Sequence, residues 1–118
     1  MGPRSQLEIF TSSVLRLVNE EASYHRELKE QTEHVKQLEA AQGGEDENRE
    51  YMLKQERLAL QQTKNVLPTL KQKIDEAVAK LESHIVEEGK KGSESNVEHI
   101  TAAKEAIAKA KTAEREIA

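Results

Sequence analysis

Residues 53–81 read LKQERLALQQTKNVLPTLKQKIDEAVAKL, with an aliphatic side chain at every seventh position: Leu53, Leu60, Leu67, Ile74 and Leu81. A stripe of that period runs along one face of an α-helix and needs a partner helix to cover it. Pro68 falls inside the stripe. Its ring removes the hydrogen bond to the Lys64 carbonyl and clashes there, at about 3 kcal/mol in an ordinary helix interior. The heptad phase is the same on both sides of Pro68, which favours one helix kinked at the proline over two separate helices.

Leu70, Ala77, Val78 and Ile85 widen the stripe, so this helix should run from about residue 47 to 88. Upstream, Gly43-Gly44 followed by Glu45-Asp46-Glu47 reads as a stop and a new start. Glycine accepts a left-handed exit, and carboxylates suit the positive end of the next helix dipole. Before that turn, Ser5-Gln6-Leu7-Glu8 has the spacing of a capping box. Leu7, Phe10, Val14, Leu17, Tyr24, Leu28, Val35 and Leu38 then follow at helical spacing, interrupted by the polar Glu21 and Gln31. These predict a first helix over about 6–41, roughly 50 Å long. Tyr24 reads as a core residue whose hydroxyl reaches the edge.

Downstream, Gly89-Lys90-Lys91-Gly92-Ser93-Glu94 breaks the pattern. Ser95 with Glu98 repeats the capping-box spacing, and Ile100, Ala103, Ile107, Ala110 and Ile117 mark a third helix over about 96–117. Its alanine seam should lie close to its neighbours, bury little area and be the least stable of the three. No alternating run of strand length is left over. The short first connection implies antiparallel neighbours. The expectation is an all-α fold: an antiparallel up-down-up three-helix bundle, one domain over 1–118, with a kinked middle helix.

Composition narrows the function. Only 36% of the 118 residues are apolar and 34% are charged, which suits long helices with narrow buried seams. One Phe, two Tyr and no Trp leave little for a ligand pocket or a base-stacking platform. The net charge is −4 with both signs mixed along the chain, so no block is basic enough for nucleic acid. Without cysteine there is neither a disulfide nor a thiolate metal site, in keeping with a reducing compartment. No run approaches a membrane span, the N-terminus lacks a signal-peptide stretch, and Gln6 stands where myristoylation wants Ser or Thr. The chain reads as soluble and cytosolic, with no membrane partner.

Catalytic chemistry does not assemble. His25, His34, His84 and His99 show no i,i+4 pairing and no HExxH or ExxH spacing, so they read as solvated or seam-edge residues. His84 continues the row of Leu70 and Ala77 and should be the most buried. Glu20 and Glu21 are adjacent and point about 100° apart, so they cannot act as an acid/base pair. No phosphate loop or nucleophile signature is present. We expect no catalytic residue, no metal ligand and no cofactor, and no large exposed apolar patch.

Two stretches resemble the tubulin-specific chaperone A family, also called tubulin-folding cofactor A. Arg16-Leu17-Val18-Asn19-Glu20-Glu21-Ala22-Ser23-Tyr24-His25-Arg26-Glu27 is similar to the family's Arg-Leu start, charged pair and Tyr followed three positions on by Glu, with Asn19 where Lys is usual. Thr63-Lys64-Asn65-Val66-Leu67-Pro68 and the amphipathic stretch after it resemble the family's aliphatic-Pro signature in its middle helix. The resemblance covers residues 7–88 well and the rest in kind. It implies a non-enzymatic chaperone that captures β-tubulin during assembly of the αβ-tubulin heterodimer and cooperates with other tubulin-folding cofactors. It also implies a cytoplasmic, cytoskeleton-associated place of action, and leaves monomer or homodimer open.

Mixed charges on the outer faces suit docking to a folded or nearly folded client. The outward rows of the first two helices near the proline supply Glu20, Glu27, Lys64 and Lys71 as candidate partner-binding residues. The competing reading is a structural coiled-coil or adaptor segment pairing with another helical protein; Pro68 and Gly43-Gly44 speak against a long continuous coil.

Overall fold

Ser5 starts the first helix as its spacing predicts. Its hydroxyl oxygen accepts the Glu8 N–H at 3.1 Å, and the Glu8 carboxylate accepts the Ser5 N–H at 3.1 Å. From this cap, helix α1 runs Gln6–Ala40, followed by α2 over Glu47–Gly89 and α3 over Val97–Ile117. The computed structural model describes residues 4–40 and 47–117, and no strand occurs among them. The expected turn at Gly43-Gly44 with Glu45 and Asp46 lies outside the described residues, as do the side chains of Glu47 and Ile117.

Side-chain contacts fix the directions. Phe10 near the start of α1 stacks on His84 near the end of α2, with ring centroids 4.4 Å apart. At the other end His34 meets Glu56 at 3.3 Å, and Arg57 meets Glu39 at 3.0 Å. The two helices are therefore antiparallel. His99 in the first turn of α3 lies 3.2 Å from Ser5 and 3.6 Å from Glu8, so α3 runs parallel to α1 and the path is up-down-up.

Helix lengths decide where the core is. At 1.5 Å per residue, 35 residues of α1 and 43 of α2 extend about 52 and 64 Å, while the 21 of α3 reach only about 31 Å. Three helices pack along one half of the rod, and α1 and α2 continue alone through the other. The buried core follows: Leu7, Val14, Leu70, Ile74, Leu81, Ala103, Ala106, Ile107 and Ala110 form one cluster, with Leu81 and Val14 fully buried. The two-helix half buries Val35 and Thr63, while Leu28, Leu38, Leu53, Leu60 and Leu67 are only half-buried.

The heptad stripe of α2 is thus unequal. Ile74 and Leu81 are closed over by α3, whereas Leu53, Leu60 and Leu67 face one partner helix and water beside it. α3 compensates for its small side chains by close approach: among the described residues it supplies four of the ten buried apolar side chains, three of them alanines. A smooth alanine surface lets backbones approach, so the area per residue is small but well covered.

α2 continues without interruption through Pro68. Pro68 and Lys64 are both exposed, so the carbonyl that loses its donor lies on the watered side, where solvent can satisfy it.

The start of α3 differs from expectation. Its cap is Asn96, whose side-chain oxygen accepts the His99 N–H at 3.1 Å, and not a Ser95–Glu98 box. Ser95 is engaged elsewhere: its hydroxyl donates to the Glu88 carbonyl at the end of α2 (2.8 Å), while the Glu88 carboxylate accepts the Asn96 N–H at 3.3 Å. The connection turns at Gly92, whose φ of +61° lies in the left-handed region open to glycine.

Candidate functional site

Arg49 shows how tertiary contacts finish what local sequence leaves undone. The last turn of α1 carries no basic residue to meet its terminal carbonyls. Arg49 of α2 reaches across and donates to the carbonyls of Leu38 (2.8 Å) and Glu39 (3.0 Å). Glu88 acts similarly between α2 and α3: donation from the Asn96 N–H, reinforced by Lys91 at 3.3 Å, holds its carboxyl below the ordinary carboxylate range. The Ser5 N–H does the same for Glu8. Sequence reading did not place Arg49 or Glu88 at these ends; their only signal was charge type near a helix boundary.

Ser5, Glu8 and His99 come together in an arrangement that superficially resembles a catalytic triad. The Ser5 oxygen, however, accepts the Glu8 amide and Glu8 accepts the Ser5 amide, so both are held by the helix cap. The cluster ties the start of α3 to the start of α1. Among the described residues no group of three or more His, Asp or Glu is placed to hold a metal ion. No helix there is long and apolar enough to cross a membrane. All four histidines are half-buried at seam edges, and His84 stacks on Phe10.

The four candidate binding residues are all exposed, and the structure does not gather them into one cluster. Glu20 borders a groove between α1 and α2 that is floored by Phe10, Leu17 and Ala77 and edged by Arg16, Lys73 and Lys80. Glu27 accepts a long 3.5 Å contact from Gln31. Lys64 makes no hydrogen bond or ion pair among the described residues. Lys71 stands in the electrostatic surroundings of Glu21, toward the end of α3.

Glu21 and Gln31, the two polar interruptions of the α1 seam, have different settings. Glu21 is only 5% exposed, and desolvation pushes its carboxyl above the ordinary value. Glu114 and Asp75 push it further up, while His25 and Lys71 pull it down. Gln31 lies where α3 no longer covers the seam, and its Oε1 is buried without a hydrogen-bond partner. Tyr24 between them is half-buried against the core.

Apolar side chains are not all covered: Tyr51 (63%), Leu58 (53%), Met52 (40%) and Val66 (37%) stand exposed on the half of α2 that α3 does not reach. They are interspersed with exposed Lys54, Arg57, Gln61 and Gln62.

Comparison with known proteins is consistent with this architecture. A family model described as Tubulin binding cofactor A matches residues 2–107. The protein named Tubulin-specific chaperone A of Saccharomyces cerevisiae is 40% identical over 86 residues, which span 72% of this chain and 76% of the relative. No solved structure matches the chain.

Proposed function

The chain belongs to the tubulin binding cofactor A family, and from that membership we propose that it is a tubulin-folding cofactor, a chaperone that captures β-tubulin during assembly of the αβ-tubulin heterodimer. It acts by binding, as a non-enzymatic protein. The family match over residues 2–107 is the observation that carries this reading. The structure supports it physically: a rod 73 Å long and 28 × 20 Å across presents mixed charge along its whole length. The half of its heptad seam that carries Ile74 and Leu81 is closed by helices of the same chain, so α2 does not require a foreign coil to bury those two residues.

We place the chain in the cytoplasm in association with the cytoskeleton, with other tubulin-folding cofactors receiving the client. The outward rows that carry Glu20, Glu27, Lys64 and Lys71 belong to the proposed docking surface, and a single copy, or each copy of a homodimer, presents them alike. The reading is tested by size-exclusion chromatography of released β-tubulin with this chain, α-tubulin being the control. We expect a complex with β-tubulin alone; failure to form one while β-tubulin stays soluble would sink the reading.

A further inference from the structure

The side of the α1–α2 pair that α3 occupies changes character where α3 leaves it. On α2 this flank is a row of every seventh residue: Arg57, Lys64, Lys71, Val78 and Ile85. Val78 lines a notch with Ala110 of α3, and Ile85 lines one with Ile107, so the row is apolar under α3. Lys71 lies near Glu21, as does Glu114 in the last turns of α3. From Lys71 toward Arg57 the same row is exposed and cationic. On α1 the matching row starts at Glu8, which meets His99 of α3, and passes through the half-buried Leu15 and Ala22. It too becomes cationic, as the exposed Lys29 and Lys36. Heptad packing keeps such rows in line along both helices.

Between these two rims the seam is open. Leu60 and Leu67 are half-buried, whereas Ile74 and Leu81, the same row under α3, are buried. Thr63 and Leu70, on the side of the seam away from α3, stay buried. The missing cover is therefore on the side where α3 lies farther along. Lys29, Lys36 and Lys64 form no hydrogen bond or ion pair among the described residues. Arg57 is matched by Glu39, and Lys71 interacts electrostatically with the buried Glu21.

One solvated lysine carries little meaning. Here each rim holds two, seven residues and about 10 Å apart, beside an uncovered apolar floor. That is one half of a coiled-coil interface, in which the floor takes a partner's apolar row and the flanking charges choose the partner. The complementary partner is a helix whose apolar row is bordered by carboxylates. A second copy docking through the same strip about a two-fold axis would set these lysines against each other. We propose that the strip floored by Leu60 and Leu67 and rimmed by Lys29, Lys36, Lys64 and Lys71 receives an acidic amphipathic helix of the tubulin client. This deepens the chaperone reading and rests on it. The client helix lies in line with α3 and completes a three-helix cross-section in the half of the rod that has only two.

The test compares the affinity of released β-tubulin for the wild-type chain, for Lys29→Gln/Lys64→Gln, and for Lys104→Gln/Lys109→Gln. The last pair removes two exposed lysines from α3, outside the strip. We expect the strip variant to bind about tenfold more weakly or worse, as for loss of charge-assisted contacts, and the control to stay within about twofold. Lys29→Glu/Lys64→Glu should bind more weakly still. All of these positions are exposed, so the variants should melt with the wild type, and weaker binding then does not come from unfolding. Equal affinity of the strip and control variants overturns this proposal alone. So does sedimentation as a dimer that Lys29→Glu/Lys64→Glu takes apart, since a second copy would then hold the strip. Absence of binding by the wild-type chain overturns the chaperone reading, and this proposal with it.

Discussion

Leu81→Ala and Leu53→Ala remove the same atoms from the same heptad stripe, and the structure predicts very different costs. Leu81 is 0% exposed, enclosed by α1, α2 and α3. Losing three carbon groups forfeits about 2.4 kcal/mol of transfer free energy at about 0.8 per group. A rigid three-helix site leaves part of the volume empty, which brings the total to about 3–4 kcal/mol. Leu53 is half-buried beside one helix and water, so truncation loses roughly half the transfer free energy and leaves no closed cavity, about 1 kcal/mol. At about 3–6 °C per kcal/mol for a chain of this size, Leu81→Ala should melt about 10–20 °C below wild type and Leu53→Ala only about 3–6 °C. Urea unfolding followed by far-UV circular dichroism, with slopes compared to confirm a two-state transition, measures both differences. If the two substitutions cost the same, α3 does not close over the second half of α2, and the unequal stripe described above is wrong. Leu67→Ala belongs between them: a buried Leu67 would cost about 2–5 kcal/mol, but its half exposure lowers this to about 1–2.

Glu21→Gln should stabilise the bundle near pH 7. Its folded pKa is raised, so the native state holds the proton more firmly than the unfolded chain, and the penalty present at neutral pH disappears as pH falls through the folded pKa into the ordinary carboxylate range; melts that differ equally at pH 7 and pH 4 refute this. Glu8 has the opposite sign: its lowered pKa gives stability above the ordinary value that is lost on acidification, so Glu8→Gln should destabilise at pH 7 and be neutral in acid. Asn96→Ala should cost about 1 kcal/mol as the loss of a helix cap, with exchange protection falling in the first turn of α3, while Glu98→Ala should leave that turn unchanged. Pro68→Ala should raise stability by about 2 kcal/mol, the helix propensity regained (about 3) less the unfolded-chain entropy released (up to about 1); a loss in urea melts would show that the packing depends on the proline.

The sequence by itself determined the all-α class, the three-helix order and the Ser5–Glu8 cap, because periodicity and capping are local: they depend on residues three, four or seven positions apart. The family, too, was legible in Arg16–Glu27 and Thr63–Pro68, since a resemblance needs only residue order. His84 could be placed at a seam edge from its row alone. Only the tertiary structure decided which half of the heptad stripe is dry, because burial of Leu81 and exposure around Leu53 depend on the length of a helix remote in sequence. It also decided that Arg49 caps α1, that Glu88 and Ser95 join α2 to α3, and that Glu21 is buried within electrostatic reach of Asp75 and Glu114. Helix ends and seam charges are satisfied or opposed by side chains tens of residues away, and a one-dimensional pattern carries no distance between helices.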